Sequence, residues 1–282
     1  MLIFCIEHGR LGNQIFQYFA IKKYNKNAKI MLIGMKELEN LFIFNGNEKF
    51  INNDRIFIKL ILKIMIRCLS KYRIIGAVQE IFLKNTSTFE YKKGIINSLV
   101  NFTGHYQAEE KINLDDVRKI SLNYSIKNDA IDYIYNTGFD LDNLYFIHIR
   151  RGDYLIWPSV DNPAALSGEY YISELKKIRN LNSRAKFIVL TDDISFSKEL
   201  FESEDGVVIS ENGPLVDFAI ITQCRRGGIL SASSYAWWAA LLLKLRFENA
   251  LIIGPKYWIG HEEKKWFPPS IKTSWISYTE KI

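Results

Sequence analysis

Between residues 143 and 255, short apolar runs alternate with segments of helical periodicity, and this alternation most constrains the fold of the 282-residue chain. Five apolar runs predict buried strands: residues 144–149, 186–190, 207–209, 227–230 and 250–253. Four amphipathic segments between them predict helices: residues 169–182, 195–201, 215–224 and 235–245. Alternating strands and helices are typical of a parallel sheet with helices on both faces, so we predict an α/β fold.

The N-terminus predicts the start of a similar unit. An apolar strand at residues 2–6 leads into a loop with Gly9 and Gly12, which a helix at residues 14–26 and a strand at residues 28–33 follow. The glycines allow the backbone to approach a ligand, and the helix start offers unpaired N–H groups to an anion. The Gly-x-x-Gly spacing alone is not specific, since it matches neither the dinucleotide motif nor the Walker motif.

We expect two lobes, because this length suits one large domain or two ordinary ones. The N-terminal lobe is predicted at residues 1–140, the C-terminal lobe at residues 141–260, and a tail that packs back on the lobes at residues 261–282. The boundary falls near residues 138–143. The pattern of residues 74–140 is mixed, with a helix predicted at residues 126–135 and a polar turn or strand end at residues 102–107.

Composition excludes some classes of protein. The formal charge of +6 is compatible with a nucleic-acid or membrane partner, and equally with a lysine-rich composition that serves no special partner. Cys5, Cys68 and Cys224 lie far apart, which argues against a disulfide framework and a cysteine zinc site. With no basic leader before residues 2–6 and no run of 18 uncharged apolar residues, we expect a cytoplasmic protein without a membrane span.

Residues 56–73 combine many apolar side chains with a cation at every fourth position: Lys59, Lys63, Arg67 and Lys71. On a helix these cations form one basic stripe. Such a helix could lie on an anionic membrane surface. Alternatively, it packs in its domain and exposes one solvated lysine face.

Polar side chains follow three of the predicted strands of the C-terminal lobe. The clusters are His148/Arg150/Arg151/Asp153, Thr191/Asp192/Asp193 and Ser231/Ser233/Ser234. Because the carboxyl ends of parallel strands share one edge, we expect the clusters to converge there and to bind a phosphorylated ligand.

Each cluster also has a structural interpretation. Ser233 or Ser234 could serve as a helix N-cap, Asp192 and Asp193 could be turn residues, and the Arg-Arg-Gly-Asp stretch could be a salt-bridged turn. The sequence from Asp140 to Asp142 has the Asp-x-Asp spelling of a metal site, but it precedes a strand, so we interpret it as a turn. The four histidines lack zinc-site spacing.

Five stretches together resemble the α-1,2-fucosyltransferase family, glycosyltransferase family 11. They are GRLGNQIFQY at residues 9–18, HIRRGDY at 148–154, FIVLTDD at 187–193, SASSYAWW at 231–238 and PKYW at 255–258. Arg10 replaces a glycine of the family pattern, and Ala236 and Ala239 replace a serine and a glycine. The motif at residues 9–14 is also similar to the first motif of protein O-fucosyltransferases.

This resemblance implies a GT-B-like architecture, in which two Rossmann-like lobes have a donor cleft between them. It further implies GDP-L-fucose as the donor, inversion at the anomeric carbon, and neither a metal nor another cofactor. Arg150 would bind the donor's β-phosphate and stabilise the departing GDP. Four residues would form the catalytic set: Arg150, Asp153, His148 and Asn13. The other donor-binding residues would be Gly9, Arg10, Gly12, Asp192, Ser231, Ser233 and Ser234.

The base that takes the acceptor's proton stays open among Asp153, Glu7 and His8, and a dissociative path with little base assistance is a further alternative. The resemblance implies transfer to a galactoside in bacterial O-antigen or polysaccharide synthesis. A lipid-linked glycan acceptor and peripheral contact with the inner membrane face would fit that role. Alternatives are another GDP-sugar or linkage, a nucleotide-sugar binding protein without turnover, and a nucleic-acid binder.

Overall fold

The computed structural model describes residues 1–44, 46, 48–52, 56–82 and 87–280, without the side chains of residues 56–59, 82, 102 and 103. The chain divides into two compact units, Met1–Asn123 and Tyr124–Ile282. Each unit is built on its own sheet, in which most neighbouring strands are parallel.

The strands of the first unit are β1 (Leu2–Ile6), β2 (Lys29–Ile33), β3 (Phe42–Ile43), β4 (Glu48–Ile51), β5 (Gly76–Phe82), β6 (Ser87–Lys92), β7 (Ser98–Thr103) and β8 (Ser121–Leu122). Its helices are α1 (Leu11–Tyr24), α2 (Lys36–Leu41), α3 (Ile56–Lys71) and α4 (Leu114–Lys119). The main sheet has the order β4-β2-β1-β7-β5-β6, and only the β5–β6 pair in it is antiparallel among the described strands.

Helix α1 begins at Leu11, three residues before the predicted start at residue 14. The carbonyl of Arg10 accepts hydrogen bonds from the N–H groups of Asn13 and Gln14, at 2.9 and 3.1 Å, so the first turn forms directly after the loop. Sequence periodicity begins only where apolar side chains begin to repeat, and this explains the later predicted start.

The strands of the second unit are β9 (Leu144–Ile149), β10 (Lys186–Thr191), β11 (Val207–Ile209), β12 (Gly227–Ile229), β13 (Leu251–Pro255) and β14 (Ser277–Thr279). Its helices are α5 (Tyr124–Asn136), α6 (Gly168–Leu181), α7 (Ile194–Leu200), α8 (Pro214–Gln223) and α9 (Ser234–Arg246). All described pairs in the sheet of order β11-β10-β9-β12-β13-β14 are parallel. The predicted α/β fold is confirmed, and these elements lie within a few residues of their predicted bounds.

The boundary between the units lies between Asn123 and Tyr124 rather than near residues 138–143. Helix α5 belongs to the second unit because it packs on α8, and the Tyr133 hydroxyl donates to the carbonyl of Ile209 at 3.4 Å. The periodicity of α5 predicts a helix but not the sheet that the helix covers. The tail contributes β14, which extends the second sheet by pairing with β13, while residues 281–282 lie outside the described part of the chain.

Strand β9 is buried along its whole length, as a central strand between helix layers requires. In the first unit, Ile66 of α3 packs with Ile6, Ile33, Ile75 and Val100 in the core between helix and sheet. None of the helices in the described ranges is both long enough and apolar enough to cross a lipid bilayer.

Candidate functional site

The three polar clusters of the second unit meet at the carboxyl edge of its sheet. They follow β9, β10 and β12, which are neighbours in the sheet order β10-β9-β12. His148 pairs in register with Leu190, so the loops after β9 and β10 begin at the same level. The predicted convergence therefore follows from strand order and register together.

Arg150 lies between two carboxylates at this edge. Its Nη1 is 2.6 Å from Oδ2 of Asp192, and its Nη2 is 2.5 Å from Oδ1 of Asp153. The guanidinium carbon lies 5.5 Å from the centre of the Tyr154 ring. A guanidinium has five N–H donors, and these two contacts use two of them. The ion pairs thus hold Arg150 in place without exhausting its capacity to bind an anion.

Asp192 ties the loop after β9 to the loop after β10. Its Oδ1 accepts a hydrogen bond from the N–H of Arg151 at 2.7 Å, while its Oδ2 holds Arg150. A Cβ on Gly152 would lie 2.8 Å from that Oδ2, so a side chain at position 152 would force the carboxylate away. Glycine in this stretch therefore permits the close approach that orients Arg150.

Arg151 and Asp193 form a neighbouring pair with a structural role. Nε of Arg151 is 3.2 Å from Oδ2 of Asp193, and its guanidinium carbon lies 3.7 Å from the centre of the Phe196 ring. Asp193 caps α7 by accepting a hydrogen bond from the N–H of Phe196 at 3.1 Å. The contacts of Asp193 therefore support a structural role as a turn residue and helix N-cap.

His148 orients Ser231 from within the core. Its Nδ1 shares a hydrogen bond of 2.7 Å with the Ser231 hydroxyl, and its ring lies 5.4 Å from the ring of Tyr235. Both partners of this bond are buried, and burial lowers the pKa of His148 to about 3. The imidazole is therefore neutral at physiological pH, so it can position a hydroxyl but cannot supply a positive charge.

The start of helix α9 lies beside this pair. Ser233 occupies the N-cap position and is buried, yet within the described residues its side chain makes no capping hydrogen bond. Ser234 is the first residue of the helix. The Tyr154 hydroxyl donates to the carbonyl of Ala232 at 3.1 Å, which joins the turn after Arg150 to the serine stretch. The N–H groups of such a helix start attract anions.

The first unit has a different kind of edge, at the loop between β1 and α1. Gly9 has φ +79°, and a Cβ on it would lie 2.5 Å from Nδ2 of Asn13. Arg10 has ordinary extended backbone, with φ −82° and ψ 179°, which explains why a side chain is tolerated at this position. Oδ1 of Asn13 accepts a hydrogen bond from Nε2 of Gln107 at 2.6 Å.

Two buried amide side chains of α1 hold the loop between β1 and α1 in place. Nε2 of Gln14 donates to the carbonyl of Gly9 at 3.2 Å, and Nε2 of Gln17 donates to the carbonyl of His8 at 2.7 Å. The His8 and His105 rings lie 4.6 Å apart, with their Nδ1 atoms 3.5 Å apart. Burial, and then the charge of His8, lowers the pKa of His105. This edge is polar, and its amides carry no charge.

Sequence reasoning missed His105 and Gln107 as partners of this loop. The sequence predicts a polar turn or strand end at residues 102–107, but no local pattern places it beside residues 8–13. The link is that β7 pairs with β1, so the segments after these two strands are neighbours.

Asp217 was missed as well. It lies in the first turn of α8 and is buried, and the Ser210 hydroxyl donates to its Oδ1 at 2.6 Å. Burial raises the pKa of Asp217 to about 7. A lone aspartate within an apolar helix gives no sequence signal for burial, since a solvated position looks the same.

The Asp-x-Asp spelling at residues 140–142 forms a turn, as predicted. Oδ1 of Asp140 accepts a hydrogen bond from the N–H of Asp142 at 3.0 Å, directly before β9 and at the amino end of the sheet. Across the described ranges, no three His, Cys, Asp or Glu side chains lie close enough together to hold a metal ion.

Solved structures share this fold at low sequence identity. The fucosyltransferase NodZ from Bradyrhizobium aligns with a TM-score of 0.53 and 13% identity over 86% of this chain and 92% of its own. POFUT1 in complex with GDP aligns with a TM-score of 0.51 and 13% identity over 86% and 94%. A family 9 glycosyl transferase from Veillonella parvula aligns with a TM-score of 0.57 and 10% identity over 99% and 86%. The predicted GT-B-like fold of two α/β units is confirmed by these likenesses.

No curated protein gives a significant match to this chain. The family model of glycosyl transferase family 11, in contrast, matches residues 2–276 and so includes both sheet edges described above. Because the match extends over nearly the whole sequence, the chain belongs to glycosyl transferase family 11.

Proposed function

We propose that the protein is an inverting fucosyltransferase that moves L-fucose from GDP-L-fucose to a galactoside hydroxyl and forms an α-1,2 linkage. The observation that carries the proposal is Arg150, held by Asp192 and Asp153 at a sheet edge beside the start of α9. Family membership supports glycosyl transfer. The NodZ fold relative was soaked with GDP-fucose and POFUT1 was crystallised with GDP, which supports this class of donor.

The proposal assigns the donor's diphosphate to Arg150 and to the serine stretch at residues 231–234. A planar guanidinium suits bidentate contact with phosphate oxygens, and the N–H groups at the start of α9 add further donors. Asp153 is half exposed, and an exposed salt bridge is worth only about 0.2–1 kcal/mol. A β-phosphate can therefore displace Asp153 from Arg150, while Asp192 stays bound and keeps the guanidinium oriented.

In the proposed reaction, the acceptor hydroxyl oxygen bonds to the anomeric carbon as the bond from that carbon to the phosphate oxygen breaks. The electron pair leaves with GDP, and negative charge develops on the β-phosphate. A preorganised cation at that phosphate lowers the barrier, since it acts where charge appears. Neutral His148 supports this arrangement by orienting Ser231, whose hydroxyl is one of the proposed phosphate ligands.

We assign the donor sugar to the loop of residues 9–13, including Gly9, Arg10, Gly12 and Asn13. Amide and backbone groups suit sugar hydroxyls, which both donate and accept hydrogen bonds. The contact from Gln107 fixes the Asn13 amide by bonding its carbonyl oxygen, and Nδ2 of Asn13 lies over Gly9. A direct contact between Asp192 and the donor stays a prediction, because the described contacts of Asp192 serve Arg150 and Arg151.

Asp153 is our choice for the group that receives the acceptor's proton. When phosphate occupies Arg150, the Asp153 carboxylate can accept the proton of the acceptor hydroxyl. Glu7 is a weaker candidate because it forms a 2.8 Å salt bridge with Lys63. His8 remains the second candidate, since its ring lies at the polar edge of the first unit. A dissociative path that needs little base assistance is the third.

The acceptor proposed is a lipid-linked glycan of bacterial O-antigen or polysaccharide synthesis, at the inner face of the membrane. A β-galactoside panel with linkage analysis of the product tests the acceptor and the linkage. GDP-fucose, GDP-mannose and dTDP-rhamnose tested in parallel identify the donor. We expect an α-1,2-fucosylated product with GDP-fucose alone, and transfer from another donor only would overturn the proposal. Donor binding without GDP release upon addition of acceptor would instead favour a binding protein without turnover.

A further inference from the structure

Helix α3 has a second apolar face that the core does not use. Four large side chains on it are about half exposed or more: Leu60 at 52%, Ile61 at 64%, Ile64 at 50% and Met65 at 50%. Their spacing places them on one side of the helix. The core takes Ile66 instead, at 1% exposure, with Leu62 and Leu69 packed beside it. Burial in the domain therefore explains only part of the apolar character of this helix.

A neighbouring segment extends the exposed apolar surface. Tyr72 and Ile74, directly after α3, are 71% and 37% exposed, while Ile95 and Ile96 are 83% and 50% exposed. The N–H group of Ile95 donates to the carbonyl of Arg73 and that of Ile96 to the carbonyl of Ile74, both at 2.9 Å. The loop therefore lies against the end of α3. Contiguous exposed apolar patches of this kind mark interaction sites on soluble proteins.

Along α3 and the turn after it, the charged side chains have one sign, whereas Lys92 in the neighbouring segment pairs with Glu90 at 3.6 Å. From residue 56 to residue 79 the sequence contains five cations and no Asp or Glu: Lys59, Lys63, Arg67, Lys71 and Arg73. Lys63 faces Glu7, and the side chain of Lys59 lies outside the described residues. Arg67 and Lys71 are exposed on the helix, and Lys92 and Lys93 precede the loop with Ile95. Exposed apolar side chains are thus bordered by cations.

We propose that this surface, formed by α3 with residues 72–74 and 92–96, docks on an anionic lipid bilayer. Its apolar side chains enter the boundary between headgroups and acyl chains, and its cations contact headgroup phosphates. A second copy of the chain fits the surface less well, because a symmetric dimer would bring the two basic borders together. The sequence suggested a lysine stripe as the docking element, whereas the structure assigns the main role to the apolar face.

Vesicle co-sedimentation without donor or acceptor tests this proposal separately from the proposed reaction. The full chain should bind vesicles of equal parts phosphatidylcholine and phosphatidylglycerol about tenfold more tightly than pure phosphatidylcholine vesicles, and high salt should weaken that binding. The double variant Ile61→Asp/Ile64→Asp should lose binding about tenfold or more, because it places two carboxylates in the apolar face.

The matched control is Ile131→Asp/Tyr135→Asp on α5, which adds the same charge to two exposed side chains about one helical turn apart in the second unit. It should bind anionic vesicles as the wild type does. Thermal unfolding of both variants verifies that they fold. Equal binding of both vesicle types by the wild type would overturn the proposal, as would undiminished binding by the α3 variant. A dimer that the α3 substitutions dissociate, seen by light scattering, would assign the face to self-association instead.

Discussion

In both units, polar loops follow the carboxyl ends of neighbouring parallel strands, yet the loops carry different chemistry. At the second sheet, arginine and aspartate side chains form ion pairs around Arg150. At the first sheet, the Gln107 amide donates a hydrogen bond to the Asn13 amide, and the imidazoles of His8 and His105 lie in contact at a tilt of 52°. The same fold position thus carries a charged edge in one unit and an amide-lined edge in the other.

We propose that the two edges bind different parts of the donor. A fixed guanidinium beside a helix start suits an anion of high charge, such as a diphosphate. Amides suit a ligand whose polar groups are uncharged hydroxyls, such as a sugar. Substitutions at the two edges should therefore affect different steps, and this expectation can be tested.

The largest effect is expected from Arg150→Ala. Without the guanidinium, no fixed charge meets the departing diphosphate, so transfer should fall by roughly a thousandfold or more. The fold should persist, because the aspartates left behind are partly exposed and can be hydrated. Initial rates with GDP-fucose and a β-galactoside measure the loss.

Arg184→Ala is the matched control, since this exposed arginine lies just before β10 at the opposite end of the sheet. It should keep wild-type turnover. Near-wild-type turnover of Arg150→Ala would mean that the charged edge takes no part in the reaction. The proposed difference in function between the two sheet edges would then be wrong.

Asn13→Ala should have the next largest effect and should act on a different step. Loss of the amide removes a proposed sugar contact, so kcat/KM should fall by about 10- to 100-fold while GDP affinity stays unchanged. Steady-state kinetics and GDP calorimetry together separate the two effects. Asn27→Ala, at an exposed position in the same unit, serves as the control. A parallel loss of GDP affinity would mean that the first unit also binds the nucleotide.

Asp217→Asn should change how stability depends on pH. The raised pKa, about 7 against an ordinary 3.8, means that the folded state keeps a proton that the unfolded state loses above about pH 4. The stabilisation is complete below that pH and disappears as pH rises through 7, with a slope of at most about 1.4 kcal/mol per pH unit. Urea unfolding across this window should show a flatter profile for the variant. An identical slope in the wild type and the variant would contradict a buried, protonated Asp217.

Asp153→Asn should have the smallest effect on binding and a separate effect on turnover. Removing the carboxylate that competes for Arg150 should raise GDP affinity by about 1.5- to 5-fold, the range of an exposed salt bridge. If Asp153 also receives the acceptor's proton, kcat should fall and its dependence on pH should flatten on the acid side. Unchanged kcat with a preserved pH profile would transfer the base role to His8 or to a dissociative path.

Much of the second unit could be predicted from sequence, because its strands and helices are short, apolar and regularly spaced. The meeting of the three polar clusters around Arg150 could be predicted because the carboxyl ends of parallel strands share one edge of the sheet. This prediction needed no knowledge of side-chain directions. Local patterns could not reveal that Asp193 caps α7 while Asp192 orients Arg150, since both residues are acidic and adjacent. Only the direction of each side chain distinguishes them.

The first unit was less predictable for a physical reason. The contact between Asn13 and Gln107 joins residues 94 positions apart, and it depends on β7 lying beside β1. Strand order is decided by the packing of the whole sheet, whereas periodicity reports only local burial. The boundary at Asn123 eluded prediction for the same reason, because α5 has equal apolar spacing whichever sheet it covers.

Calorimetric titration of GDP and GMP into the wild type and Arg150→Ala tests the central claim most directly. The two nucleotides differ only in the β-phosphate that Arg150 is proposed to bind. The wild type should bind GDP at least about tenfold more tightly than GMP, as expected for a charge-assisted bidentate contact. Arg150→Ala should bind the two alike. A variant that keeps the full preference for GDP would contradict the assignment of the diphosphate to this edge.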